Sequence, residues 1–153
     1  MQVRPRHILL RPAGPEHLDF AWGLYRRLMK PLTEELLAWD EERQKAGVEP
    51  EIVRGGASII LLAGQRAGWL HVRETREAVE LCQLYVLPEL QNRGIGSLLL
   101  GRLIEQTRRQ GKPLTLAVMK NNRARVLYER LGFLPTGESD FKIEMTWRGD
   151  SPA

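Results

Sequence analysis

The spacing of apolar residues along the chain predicts strands that alternate with helices. Apolar runs typical of strands occupy residues 3–11, 58–63, 67–74, 78–87 and 114–119, with further strand material at 133–134 and 141–147. Apolar residues at helical spacing predict helices that begin near residues 15, 33, 96 and 122. The predicted order is β-α-α-β-β-β-α-β-α-β-β, which describes one mixed α/β sheet flanked by helices.

Prolines and glycines set the predicted boundaries of these elements. Pro31 interrupts the first helix, so a second helix is predicted to start at Thr33 and to run to about Lys45. Residues 47–56 contain three glycines and are predicted to form a loop. Gly111 is expected to end the helix over residues 96–110, whose last turn is basic, as the helix dipole prefers.

Length and composition fit a globular protein of one domain, residues 1–153. A hydrophobic content of 42% and a charged content of 27% are ordinary for that class. No stretch approaches the ~18 consecutive apolar residues that would span a bilayer. The single cysteine, Cys82, excludes an internal disulfide and favours a reducing compartment, so a cytoplasmic protein is expected.

The net charge of +4 suits either a polyanion or a phosphorylated ligand. Nucleic-acid binding is disfavoured, because the chain has no RNA-binding aromatic motif, no zinc-finger spacing and no basic zipper region. The three histidines, His7, His17 and His71, lack the spacing of a metal site, so no metal is predicted.

Residues 91–97, QNRGIGS, carry the strongest chemical signal. They follow the apolar run 81–87 and open the helical pattern of residues 98–109. Gly94 and Gly96 allow a tight turn and leave backbone N–H groups open to an anion, and the following helix adds the positive end of its dipole. A P-loop is disfavoured because no Gly-Lys-Ser/Thr follows, and the third glycine of a dinucleotide fingerprint is missing.

Three segments together resemble the GNAT superfamily of acyl-CoA-dependent N-acetyltransferases. LYVLPELQNRGIG at 84–96 is similar to the fourth strand of that family and its Gln/Arg-x-x-Gly-x-Gly/Ala pyrophosphate loop. NNRARVLYERLGF at 121–133 is similar to its Asn-x-x-Ala-x-x-Leu-Tyr-Glu-x-x-Gly-Phe helix, and AGWL at 67–70 to its third strand. The strong match covers about residues 80–133. Both long motifs in this order, with a helix and a strand between them, are a specific combination.

The resemblance implies a mixed, mostly antiparallel sheet that is splayed between strands 4 and 5. In such a fold the pantetheine arm of acetyl-CoA enters the splay and pairs with the backbone of strand 4, while the pyrophosphate lies on the loop amides. The implied cofactor contacts are Leu84, Val86, Gln91, Asn92, Arg93, Gly94, Ile95, Gly96, Ser97, Asn121 and Asn122. Family spacing favours Asn121 for the cofactor arm, whereas Asn122 is also a candidate helix N-cap, so this pair stays open.

Acetyl transfer to an amine poses two proton problems. A lysine-like amine is neutral only about once in 2500 at pH 7, so a base or a desolvating site is required, and the CoA thiolate needs a donor. The resemblance makes Tyr128 the donor; the alternative is a tyrosine that packs its ring on the sheet. For the base, Glu80 lies eleven residues before Gln91, the spacing of the glutamate in many family members. An exposed carboxylate at a strand start is an equally good interpretation of Glu80.

Other candidate groups carry less weight. In strict alternation Glu80 shares a face with Cys82 and Leu84, and a bulge in the strand would change that phase. Cys82 has no neighbouring partner in sequence to activate it and is more typical of a core residue. His71 is a reserve candidate for the acceptor site.

The acceptor site is the least readable part of the sequence. The first two helices usually form its wall in this family, around Trp22, Tyr25, Met29, Trp39 and Asp40, although aromatic residues at helical spacing are more often core. We expect an enzyme that acetylates a primary amine of a small molecule by direct attack in a ternary complex. The alternatives are a non-catalytic acyl-CoA-binding module and a protein N-terminal or lysine acetyltransferase. A homodimer is compatible with the sequence.

Overall fold

A computed structural model describes residues 3–149 of the chain. The strands are β1 (Ile8–Pro12), β2 (Ala57–Leu62), β3 (Gln65–Glu74), β4 (Val79–Val86), β5 (Leu114–Met119), β6 (Leu134–Glu138) and β7 (Lys142–Trp147). The helices are α1 (Leu18–Glu34), α2 (Glu41–Val53), α3 (Ile95–Gln110) and α4 (Ala124–Arg130). Short 3-10 turns precede β1, α1 and α3. The element order predicted from the sequence is confirmed.

The described strands form one seven-stranded sheet in the order β1-β2-β3-β4-β5-β7-β6. Neighbours such as β1 and β2, β5 and β7, and β6 and β7 pair antiparallel, whereas β4 and β5 are parallel. Among the described residues, the β4–β5 ladder pairs Val79–Leu81 with Leu114–Leu116, although β4 continues to Val86 and β5 to Met119. The predicted mixed, mostly antiparallel sheet, with strands 4 and 5 paired over only part of their length, is confirmed.

Backbone contacts divide the chain into two compact units. The first comprises residues 1–72 and 83–96, and the second residues 73–82 and 97–153. In the first unit α1, α2, β2 and β3 enclose a cluster of buried side chains: Ala21, Leu24, Val48, Ile52, Ala57, Ile59, Leu61 and Trp69. Trp69 is fully buried and donates its indole N–H to the Ala21 carbonyl at 3.0 Å, which satisfies the polar atom of the largest core residue. In the second unit the fully buried side chains include Leu100, Leu114, Phe133 and Met145. The single-domain organisation stays a prediction.

The prediction that Pro31 ends the first helix is wrong. Helix α1 continues through Pro31 to Glu34, and Thr33 is buried in its last turn. A proline inside a helix costs about 3 kcal/mol through a lost hydrogen bond and a steric clash. We attribute the continued helix to its packing, because burial of the α1 face that carries Ala21 and Leu24 offsets a cost of this size.

The predicted helix over residues 33–45 and loop over residues 47–56 are also wrong. Helix α2 begins after Asp40, whose carboxylate caps it by accepting a hydrogen bond from the Arg43 N–H at 3.1 Å. It then runs through Pro50 to Val53. Val48 and Ile52 are four residues apart, share one face and are both buried, so core packing extends α2 into the predicted loop.

Within the first unit, β3 and β4 approach each other closely at Gly68. A Cβ atom at this glycine would overlap the carbonyl oxygen of Tyr85 and lie 3.0 Å from both the Tyr85 carbonyl carbon and the Val86 Cα. These are backbone atoms, so no side-chain rotation would relieve the overlap. Beyond this point the Leu87 N–H donates to the Ala67 carbonyl at 2.8 Å. The missing side chain of Gly68 therefore sets the spacing of the two strands.

Replacing Gly68 with alanine is expected to destabilise the protein by about 1–3 kcal/mol, the usual cost of overpacking a rigid interior. The matched control is Gly23→Ala in α1, where a Cβ has no neighbour within 4 Å. That change is expected to raise stability by up to about 1 kcal/mol through helix propensity. Urea unfolding followed by circular dichroism measures both. Equal midpoints for the two variants would show that the strand spacing at Gly68 is not constrained.

Candidate active site

The loop between β4 and α3 has the backbone conformation of an anion-binding turn. After the 3-10 turn Pro88–Leu90, Asn92 and Gly94 both adopt left-handed conformations, with φ of 63° and 89°. Asparagine and glycine are the residues that tolerate this region best. Helix α3 begins immediately afterwards at Ile95. Left-handed residues directly before a helix N-terminus turn successive N–H groups towards one point, where an anion can bind.

Hydrogen bonds of the first unit hold this loop in place. Gln91 donates from Nε2 to the Val86 carbonyl at 3.0 Å, so its side chain closes the turn back onto β4. The carbonyl of Arg93 accepts from the Val3 N–H at 3.0 Å. Ile95 is buried and anchors the first turn of α3. Because these contacts preorganise the loop, binding an anion there needs little ordering.

The two predicted backbone partners on β4, Leu84 and Val86, are half-buried. The Val86 carbonyl already accepts from Gln91. A carbonyl has a second lone pair, and the amide N–H of each residue is a separate donor, so the Gln91 contact leaves Val86 able to bind another group.

Tyr128 lies on α4 in the second unit and is 8% exposed. Its ring packs on Phe133, with centroids 5.7 Å apart. Burial raises the pKa of Tyr128 to about 12, so its hydroxyl stays protonated at neutral pH and is able to donate a proton. At the start of the same helix Asn122 accepts from the Ala124 N–H at 2.9 Å, which gives Asn122 the role of a cap. Asn121 is half-buried.

The predicted base, Glu80, lies in the second unit and contacts Arg73. Its carboxylate accepts a hydrogen bond from the Arg73 guanidinium, and its side chain is 39% exposed. Exposed ion pairs of this kind contribute little to stability. A role for Glu80 as base requires the contact with Arg73 to open or a water to bridge to the substrate.

A group of polar side chains centred on Glu51 was not predicted from the sequence. Its carboxylate contacts Nδ1 of His71 and accepts a second hydrogen bond from Nε2 of Gln83 at 2.8 Å. Both Glu51 and His71 have side chains that are only 18% exposed. The assignment of residues 47–56 to a loop concealed Glu51. The signal that would have found it is the pair Val48 and Ile52, whose spacing extends the helix across this position.

An aromatic cluster borders this polar group within the first unit. The rings of Trp22, Tyr25 and Trp39 lie 5.8–6.2 Å apart, and Tyr25 meets the ring of Tyr85 edge-on at 5.4 Å. The Tyr25 hydroxyl donates to Gln44 at 2.6 Å. Burial and the negative charge of Glu51 raise the pKa of Tyr25, so it stays neutral. Trp22 and Tyr25 are partly buried and pack against the core. Aromatic residues at helical spacing are more often core residues, and these two follow that tendency.

Comparison with known proteins gives the class of this chain. Residues 22–133 match the model of the acetyltransferase (GNAT) family. This range contains β4, the loop at residues 91–97, α3, β5 and α4, and it exceeds half of the chain. The protein therefore belongs to the acetyltransferase (GNAT) family, and the resemblance found in the sequence is confirmed.

Individual relatives differ in what they acetylate. The chain is 34% identical over 108 residues to the L-methionine sulfoximine/L-methionine sulfone acetyltransferase of Salmonella typhimurium, which covers 69% of the chain and 62% of that relative. It is 39% identical over 70 residues to the [ribosomal protein bS18]-alanine N-acetyltransferase of Haemophilus influenzae, and the match covers 45% of the chain and 48% of that relative. The chain thus spans about half to three fifths of these relatives. The structure of yncA from Salmonella typhimurium with its cofactor acetyl-CoA shares the fold, with 22% identity, a TM-score of 0.60 and 96% coverage of both chains.

Within residues 3–149, none of the helices is both long and apolar enough to cross a membrane. Within the same residues, no three or more His, Cys, Asp or Glu side chains form a group able to hold a metal ion.

The raised pKa of Tyr128 predicts a loss of stability in alkali. The unfolded state releases the tyrosine proton near pH 10 and the folded state near pH 12, so the folded state holds more protons between these values. Stability is therefore unaffected below about pH 10 and falls by up to about 2–3 kcal/mol as the pH approaches 12. Urea unfolding of wild type and Tyr128→Phe at pH 8, 10 and 11.5 measures this, because the variant lacks the titrating hydroxyl. Parallel loss in both proteins would contradict a buried Tyr128.

Proposed function

We propose that the protein transfers an acetyl group from acetyl-CoA to a primary amine of a small molecule. The observation that carries this proposal is the loop at residues 91–97, where left-handed Asn92 and Gly94 lead into the N-terminus of α3. In a chain of the acetyltransferase family this turn suits the pyrophosphate of CoA. The relative with bound acetyl-CoA supports the choice of cofactor. The same proposal includes that the protein uses no metal and acts in the cytoplasm.

In this proposal each part of the cofactor has its own contacts. The pyrophosphate lies on the backbone N–H groups of residues 92–97. The Gln91 side chain holds this turn by donating a hydrogen bond to the Val86 carbonyl. The pantetheine arm pairs with the backbone of Leu84 and Val86, and Asn121 contacts the arm because Asn122 caps α4. Each charge at a helix N-terminus gains about 0.3–1 kcal/mol, so several amides acting together are required.

Acetyl transfer then proceeds by direct attack in a ternary complex. The neutral amine attacks the thioester carbonyl, and Tyr128 donates its proton to the departing CoA thiolate. The Tyr128 hydroxyl, with a pKa of about 12, is in the protonated form that a donor needs, and burial makes it a weaker acid than an exposed tyrosine. Glu80 is the base that the sequence predicts. In this role its carboxylate would have to release the hydrogen bond that it accepts from Arg73 or act through a water.

The choice of a small-molecule acceptor rests on the Salmonella relative, whose name gives methionine sulfoximine and methionine sulfone as its substrates. The Haemophilus relative acts on a ribosomal protein, which makes a protein N-terminus the second candidate. A homodimer and the absence of nucleic-acid and membrane partners are further proposals. A third possibility is a chain that binds acetyl-CoA without catalysis.

A panel of acceptors tests the function. Acetyl-CoA is incubated with L-methionine sulfone, L-methionine, L-phenylalanine, spermidine or a short peptide that begins with alanine, and free thiol is followed. We expect thiol release above hydrolysis with at least one of the small molecules. Tyr128→Phe is expected to lower kcat about 100-fold or more, since general acid catalysis typically contributes 10²–10⁴-fold, while acetyl-CoA still binds.

The outcomes separate the candidates. Release with the peptide alone would favour a protein acetyltransferase. Binding of acetyl-CoA without thiol release from any acceptor would favour a non-catalytic module. A Tyr128→Phe rate equal to wild type would remove Tyr128 from the mechanism.

A further inference from the structure

His71 presents its two ring nitrogens to different neighbours. Nδ1 contacts the Glu51 carboxylate on α2. Nε2 points towards Gly56, in the turn before β2, where a Cβ atom would lie only 2.8 Å from it. Gly56 is exposed and has no side chain, so no Cβ of this residue covers Nε2, although the His71 side chain is only 18% exposed.

Glu51 is held in a fixed orientation towards the imidazole. Its other oxygen accepts from Gln83 Nε2 at 2.8 Å, so the carboxylate is fixed from both the β3 and the β4 side. A carboxylate at Nδ1 keeps the ring proton on that nitrogen and leaves the lone pair on Nε2. It also stabilises the imidazolium that forms when Nε2 takes a proton, as the aspartate does in a Ser-His-Asp triad.

Two tyrosines of the first unit lie near this pair. Tyr25 from α1 and Tyr85 from β4 are the tyrosines of the cluster, and the raised pKa of Tyr25 keeps it neutral. Tyr85 bonds to the Gln83 side chain, which in turn bonds to Glu51. Glu51 is thus the negative charge that contacts the imidazole.

We infer that His71 Nε2 takes the proton of the acceptor ammonium, with Glu51 as its positioning residue. This inference rests on the proposed acetyl transfer and replaces Glu80 as the base. Nε2 of His71 faces Gly56, which has no side chain to cover it, whereas the Glu80 carboxylate accepts a hydrogen bond from Arg73. A base at this position is required for acceptors that arrive as ammonium ions.

The proton and electron balance of this step is complete. The ammonium gives one proton to Nε2, and the neutral amine forms the C–N bond with the acetyl carbonyl. The C–S bond breaks, the thiolate takes a proton from Tyr128, and the remaining extra proton on nitrogen returns to the Tyr128 oxygen. The imidazolium releases its proton to water. The products are the acetamide, CoA thiol and one proton.

Two adjacent glycines provide a matched test. Gly55 and Gly56 have nearly equal left-handed φ values of 99° and 102°, so alanine strains the backbone similarly at either position. A Cβ at Gly55 has no neighbour within 4 Å, whereas a Cβ at Gly56 meets Nε2. With the panel amine that wild type acetylates fastest, Gly56→Ala is expected to lower kcat at least about tenfold relative to Gly55→Ala. The KM for acetyl-CoA is expected to stay the same, because the cofactor loop is unchanged.

A second variant tests the imidazole itself. His71→Ala is expected to lower kcat about 100-fold, and added imidazole is expected to restore part of the rate, which a structural histidine would not show. Equal kcat for Gly56→Ala and Gly55→Ala, or no rescue by imidazole, would overturn this inference alone. A wild-type protein that acetylates no amine of the panel would overturn the proposed function, and this inference with it.

Discussion

The close approach of β3 to β4 at Gly68 is the constraint on which the positions of the loop at residues 91–97 and of the Glu51–His71 pair depend. Because Gly68 has no side chain, the Tyr85 carbonyl lies directly against it. The Tyr85 ring then packs on buried Trp69 at 5.2 Å, and the Gln83 side chain reaches Glu51 at 2.8 Å. After β4 ends, the Leu87 N–H bonds to the Ala67 carbonyl and the chain enters the loop at residues 91–97. The same strand end therefore positions the loop proposed for the cofactor and the polar group proposed for the acceptor.

The proposed chemistry divides the two proton transfers between differently solvated groups. Tyr128 is buried and its hydroxyl is protonated at neutral pH, the form that a proton donor requires. The imidazole of His71 instead has the Glu51 carboxylate at Nδ1 and a glycine without a side chain at Nε2, which suits a group that must accept. Neither group needs a metal for these roles.

Local patterns were enough to predict the element order and the tight turn between β4 and α3. Strands and glycine turns have short-range signatures, and the two long motifs of the family lie within residues 84–133. Helix boundaries near prolines were not predictable in the same way. Pro31 and Pro50 both argue locally for a helix end, yet burial of Thr33 and Ile52 continues the helices past them. Tertiary packing outweighed local preference at both sites.

The Glu51–His71 pair shows a second limit of sequence reasoning. The two residues are twenty positions apart and come together because α2 lies against β3 in the first unit. Once Pro50 had been assigned to a loop, nothing in the sequence placed Glu51 opposite His71. The sequence predicts Glu80 as the base because its spacing to Gln91 matches the family. That spacing carries no information about the Arg73 guanidinium that contacts the Glu80 carboxylate.

Calorimetric titration with CoA tests most directly whether the loop at residues 91–97 holds the cofactor. Gly94 and Gly111 are both left-handed, with φ of 89° and 68°, so alanine is strained at either position. Only Gly94 lies in the loop; Gly111 ends α3, and a Cβ there has no neighbour within 4 Å. The account predicts that wild type and Gly111→Ala bind CoA alike and that Gly94→Ala binds about tenfold more weakly, a difference of about 1.4 kcal/mol. Equal affinity for all three proteins, or no binding by wild type, would contradict it.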